Sequence, residues 1–121
     1  VGSTTVLYSD GTNITGKLQT KGYYTPSATY TTVNGDQVLI DTSGGGIGTP
    51  ITINLPASPA IGNEVHFIDS GNNLASNNLT IGRNSSKILG GTSDLVVSAN
   101  GSAFTLVYVN ATLGWVYKDK I

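Results

Sequence analysis

No stretch of this chain reads as a convincing helix, because Gly or a β-branched residue interrupts every candidate for an i, i+3, i+4, i+7 apolar repeat. That excludes a helical fold and leaves short alternating runs. Ile51-Thr52-Ile53-Asn54-Leu55 puts three aliphatic side chains on one face and two polar ones on the other, the pattern of a half-buried strand. Pro56 and Pro59 end it, since proline has no N–H to give to a ladder. Glu64-Val65-His66-Phe67-Ile68-Asp69 places Val65 and Phe67 together, and Leu79-Thr80-Ile81 follows the loop Ser70-Gly71-Asn72-Asn73. Asp10-Gly11, Asn34-Gly35 and Asn100-Gly101 each lie between two β-runs: 4–9 and 12–18, 28–33 and 37–41, 94–99 and 102–109. These dipeptides tolerate the positive φ of hairpin turns, so the spacing predicts an antiparallel β-sandwich or a jelly-roll-like barrel.

Two runs are apolar on both faces. Phe104, Leu106 and Tyr108 alternate with Thr105, Val107 and Val109, and Trp115 and Tyr117 flank Val116. A sandwich strand buries one face, so these need a second cover, either a neighbouring loop or another subunit. Residues 1–26 form a separate arm or hairpin ahead of the sandwich module at 27–121. Tyr23 and Tyr24, adjacent on an extended chain, point to opposite sides, so one of them is exposed or is covered by a partner. Tyr23, Tyr24, Val107, Val109 and Trp115 are therefore the residues expected to meet a partner subunit.

The 121 residues are one domain's worth and enough for a real core. Five Lys and one Arg, scattered through a chain of net charge −1, argue against nucleic acid as a partner. No stretch approaches the roughly 20 apolar residues of a membrane span, and no basic-then-apolar signal segment stands at the start. Without Cys there is no disulfide, thiolate metal site or cysteine nucleophile. Charged residues are only 11% of the chain, so uncharged Thr, Ser and Asn must carry its polarity.

No catalytic constellation is visible. His66 is the only histidine, with Glu64 and Ile68 on its strand face, and reads as a surface imidazole beside a carboxylate. Asp10 and Asp36 sit in turns, while Asp41 and Asp69 end strands. Ser43-Gly44-Gly45-Gly46-Ile47-Gly48 lacks the Lys-Ser/Thr ending and the following helix of a phosphate loop, and reads as a flexible connection. Asn-X-Ser/Thr triplets such as Asn78-Leu79-Thr80 are what chance delivers in a chain so rich in Asn and Thr.

Several stretches carry a family resemblance. Tyr30-Thr31-Thr32-Val33-Asn34-Gly35-Asp36-Gln37-Val38-Leu39-Ile40-Asp41-Thr42 resembles the opening strand pair of a β-rich module found in virion structural proteins of tailed bacteriophages. Ile51-Thr52-Ile53-Asn54-Leu55-Pro56-Ala57-Ser58-Pro59-Ala60-Ile61-Gly62 resembles its central strand and double-proline turn. Asn78-Leu79-Thr80-Ile81-Gly82-Arg83-Asn84 and Phe104-Thr105-Leu106-Val107-Tyr108, with Gly114-Trp115, resemble its last part. The resemblance spans about three quarters of the chain, over 28–117. It implies a trimeric or otherwise oligomeric structural protein on the virion surface, with no catalytic residue and no cofactor to carry over. Its expected partners are other virion proteins and host-surface glycans. A tail-fibre or appendage subunit is the usual company of such a module, and a short chain with an arm also fits a capsid-decoration subunit. A carbohydrate-binding β-sandwich from a secreted bacterial protein, stacking sugars on Tyr24 or Trp115, is the alternative.

Overall fold

The computed structural model describes residues 22–119, and among them every regular element is a strand. In chain order these are β1 (Tyr23–Tyr24), β2 (Tyr30–Thr31), β3 (Gln37–Ile40), β4 (Ile51–Asn54), β5 (Glu64–Asp69), β6 (Leu79–Gly82), β7 (Leu95–Val97), β8 (Ala103–Asn110) and β9 (Gly114–Tyr117). They make two sheets facing each other, sheet A in the order β1-β3-β5-β8-β9 and sheet B in the order β2-β4-β6-β7. The expected all-β sandwich is present. The expected barrel closure is not, because the two sheets share no strand.

The expectation of antiparallel pairing needs a larger correction. From β1 to β6 the chain alternates between the sheets, and each strand lies parallel to the one two elements later. These residues therefore wind as three coils of a flattened solenoid, β1–β2, β3–β4 and β5–β6. Only β7, β8 and β9 run antiparallel to their neighbours and finish the stack.

The turn geometry explains why no hairpin forms at Asn34-Gly35. A two-residue type I′ hairpin turn needs positive φ at both central residues. Here Gly35 has φ 89° while Asn34 is not in the positive region, and Asp36 N–H donates to Val33 C=O at 3.1 Å. That is the type II pattern, which splays the flanking strands instead of pairing them. Gly101 (φ 77°) repeats it, with Ser102 N–H donating to Ala99 C=O. The freed polar groups bond the next coil: Gly35 N–H reaches Glu64 C=O at 2.7 Å, and Asn34 Oδ1 accepts from Glu64 N–H at 2.9 Å. Both turns were legible, but their partners were not the strands on either side.

Parallel stacking makes columns of side chains. In sheet B, Tyr30, Ile53, Ile81 and Leu95 lie side by side, and next to them Ile51, Leu79 and Val97. In sheet A, Tyr24, Val38, Phe67 and Phe104 form one column and Val65, Leu106 and Tyr117 another. Val38, Ile53, Val65, Phe67, Ile81 and Leu106 are buried between the sheets. Phe67 stacks on Phe104 at 5.3 Å, and Phe104 meets the edge of Tyr117 at 5.8 Å. Gly71 lies where a Cβ would sit 2.1 Å from Asp41 Oδ1, so the loop after β5 can approach the end of β3 only because this residue is glycine.

The loop 43–48, expected to be a flexible connection, is a bonded turn. Gly46 N–H donates to Ser43 C=O, Ile47 N–H to Asp41 C=O, and Ile47 packs on the core. The predicted hairpin about Asp10-Gly11 lies outside the described residues. Of the arm at 1–26, residues 22–26 are described, and they include β1, which pairs with β3 in sheet A.

Asp69 is the principal polar anchor. It is buried, and its carboxylate accepts from the N–H groups of Gly71, Asn73, Leu74 and Gly101. One side chain thus ties the β5–β6 connection to the turn before β8. Asp69→Ala leaves those N–H groups unpaired and is expected to cost at least about 3 kcal/mol in urea unfolding, against about 1 kcal/mol for Asp94→Ala, whose carboxylate, among the described residues, accepts from Arg83 N–H at the surface.

Candidate interaction surfaces

The alternation along each strand decides what the outside of each sheet presents. Sheet B turns Thr52, Thr80 and Val96 outward in one row, and Thr31, Asn54 and Gly82 in another. It is small and polar apart from Val96. Sheet A differs. Leu39, Ile68 and Ala103 form one outward row, Tyr23, Gln37, His66 and Thr105 the next, and Glu64, Val107 and Val116 a third. Two rows with aliphatic side chains, the second also holding Glu64, therefore flank a polar one on the solvent side.

The polar row is internally bonded. His66 Nδ1 lies 2.7 Å from Thr105 Oγ1, and His66 Nε2 lies 3.7 Å from Glu64 Oε1. Lys118 Nζ reaches both Glu64 oxygens at 3.2 Å. The expected His66–Glu64 neighbourhood is present, and Lys118 joins it from beyond β9. In so exposed a place the ion pair is worth only a few tenths of a kcal/mol to about 1 kcal/mol.

The five residues expected at a partner contact divide between the two sides. Tyr23 and Val107 lie on the outer face of sheet A, and Val109 falls at the irregularity in β8 between Tyr108 and Asn110. Tyr24 faces inward at the end of the stack, its ring 4.7 Å from that of Tyr30. Trp115 is a correction: it is 0% exposed, packed 5.7 Å from Tyr108 in the chain's own core. It offers no surface to a second subunit or a sugar. Tyr117 is turned inward with it, and Val116 takes the outward position. Leu39, Ile68 and Val116 complete the outer face. Their outward phase is readable from strand alternation, but their meeting across four strands depends on the parallel β3–β5 pairing and the antiparallel β5–β8 and β8–β9 pairings.

A cleft of about 340 Å³ opens at the ends of β8 and β9, lined by Ala103, Phe104, Thr105, Tyr117 and Asp119. Its two rings meet at 83°, edge to face, and do not form a coplanar platform. A second hollow, about 260 Å³, lies between Thr25, Pro26 and Ser27 of the first coil and Asp41, Gly45, Gly46 and Ile47 of the second. The Ser43 hydroxyl and N–H both donate to Asp41 Oδ1, which holds its carboxyl below the usual carboxylate range. Among the described residues no group of three or more His, Cys, Asp or Glu side chains is placed to hold a metal ion.

Tyr30 and Asp36 are the most strongly coupled polar pair. The Tyr30 hydroxyl donates to Asp36 Oδ2 at 2.7 Å, and Val33 N–H donates to the same oxygen at 2.9 Å. The bond to Asp36, with burial and the repulsion of its charge, pushes the Tyr30 hydroxyl from 10.0 up to about 12. Compared with known proteins, the chain matches no protein-family model and no curated protein.

The folded chain thus holds the Tyr30 proton more tightly than the unfolded chain does, so the stabilisation is complete below pH 10 and disappears as pH rises to about 12. Tyr30→Phe is expected to lower stability by about 1 kcal/mol at pH 7 and to remove this part of the alkaline loss. Urea midpoints of both proteins from pH 7 to pH 12 check it, the difference between them shrinking toward the alkaline end.

Proposed function

We propose that this chain is a structural subunit of a virion surface, and that it self-associates through the outer face of sheet A. The observation that carries the reading is the placement of Leu39, Ile68, Val107 and Val116 on the solvent side of one sheet, with Tyr23 at 62% exposure at its edge. Ile68 is exposed and Leu39, Val107 and Val116 are half-buried, and aliphatics aligned in rows on the outer side of one sheet fit a face that a partner covers. Among and beside these rows Glu64, Lys118, His66 and Thr105 offer a carboxylate, an ammonium, an imidazole and a hydroxyl, donors and acceptors for a neighbouring subunit in a closed ring.

The composition supports the same role. A ladder-bonded fold with no thiol and little charge is stable in the open and indifferent to redox conditions. The resemblance of 28–117 to phage virion modules supplies the biological setting and the trimer. Fibre or appendage and capsid decoration are the two placements it supports. The carbohydrate-binding alternative loses Trp115 as a platform and would have to use the cleft at Phe104 and Tyr117.

Light scattering at micromolar concentration is expected to give three times the mass of one chain. Val107→Lys, which puts a charge on the outer face beside Glu64, is expected to return a single-chain mass with an unchanged β-type circular dichroism spectrum. A monomer at every concentration in the unsubstituted protein would overturn self-association in solution. Glycan binding that Tyr117→Ala abolishes would favour the alternative.

A further inference from the structure

Loop 87–91 lies along the edge of β9 and adds one short parallel segment to sheet A. Trp115 N–H donates to Lys87 C=O and Leu89 N–H to Trp115 C=O, both at 2.8 Å, so Ile88 takes the place beside Trp115. Ile88 is 5% exposed and Trp115 0%, and both belong to the core. Alternation then turns Leu89 outward, in the register position next to Val116, and it is 48% exposed.

The turn that holds Leu89 there is a costly one for this residue. Ile88 and Gly91 exchange both backbone hydrogen bonds, at 3.1 and 2.9 Å, and the two residues between them have positive φ, 53° at Leu89 and 79° at Gly90. That is a type I′ hairpin, whose first central position favours Asn, Asp or Gly because a larger side chain is strained in the left-handed region. The other non-glycine residues with positive φ among the described residues are Asn72, Asn84 and Ser85, all small and polar. A strained position that keeps an aliphatic side chain half in solvent calls for a use of that side chain outside the chain's own core.

We propose that Leu89 is an anchor of the self-association face, held by its strained turn against a neighbouring copy of this chain. The inference rests on the proposed function and adds to it the edge at which the contact is made. Two observations favour a copy of the chain as the occupant. Leu89 continues the row of Val107 and Val116 past β9, so a partner seated on the outer face of sheet A reaches it without a second site. That row also holds Glu64, whose carboxylate is paired with Lys118, so the surroundings offer a neighbouring copy both a carboxylate and an ammonium. The edge of β9 is already bonded to 87–89, which leaves side chains rather than a strand ladder as the means of contact there.

Leu89→Asn separates the turn from the contact, because it supplies the Asn-Gly pair that a type I′ turn favours while removing the aliphatic side chain. Light scattering over a concentration series is expected to place the midpoint of dissociation at least about tenfold higher than in the unsubstituted protein. In the Val107→Lys background, where the chain is expected to be single, the same substitution is expected to raise the urea midpoint. Leu89→Met, which keeps an apolar side chain in the same turn, is expected to dissociate within about threefold of the unsubstituted midpoint. An unchanged dissociation midpoint for Leu89→Asn would overturn the inference and leave self-association through sheet A standing. A lower urea midpoint would overturn it too, by assigning the Leu89 side chain to the chain's own fold. A single-chain mass for the unsubstituted protein at every concentration would overturn the proposed self-association together with this use of Leu89.

Discussion

Between sheet A and sheet B the backbone crosses in turns that splay the chain, and Gly35 shows why this matters for everything else. Because its turn has positive φ at one central residue only, β2 and β3 diverge into different sheets, and each must find its partners a coil away. The parallel register that results places Ile53 on Ile81 and Val38 on Phe67. A slip of one residue would turn every one of these side chains to the solvent, so a two-sided core enforces the register once the coils meet. The outer face of sheet A combines this register with the antiparallel strands that follow it. Leu39 meets Ile68 through the parallel β3–β5 pairing, and Val107 and Val116 join the face through β8 and β9 on the far side of the polar row.

Coils of this kind leave backbone groups unpaired at every crossing, and the composition answers that need. Asn73 and Asn77 both donate to Thr42 C=O, Asn84 to Leu55 C=O and Asn78 to Leu74 C=O. Asn100 accepts from Ala75 N–H, Asn63 from Ala60 N–H and Asn110 from Leu113 N–H. A short amide that donates and accepts suits these sites better than a charge, which would cost more to desolvate. The abundance of Asn and the scarcity of charge therefore have a common structural cause. Where carboxylates do enter, Asp36 and Asp69 are buried and take several donors each.

Much of this could be read from the sequence, and the remainder could not for definite reasons. Strand alternation reports local faces, so the inward Val65 and Phe67, the outward His66 and the opposed Tyr23 and Tyr24 were all legible. Pairing is not local. A type II and a type I′ turn share the Asn-Gly signature, and only the dihedral angle of Asn34 separates a crossing from a hairpin. Trp115 was placed at a contact because its strand looked apolar on both faces. In the structure Val116 accounts for the outward face, and Trp115 closes the core with Ile88 and Tyr108. The glycine-rich loop looked free because its partner, Asp41, is known only once the turn is formed.

The functional reading rests on surfaces that exist only if the coils wind in this way, so the winding is what most needs testing. Short-range NMR contacts between backbone protons of paired strands test it directly. Contacts from Gln37 to His66, from Tyr30 to Ile53 and from Ile53 to Ile81 are the expected result, the signature of parallel coils one above the next. Contacts joining 28–33 to 37–41 as an antiparallel hairpin would contradict the winding, and with it the outer face on which self-association depends.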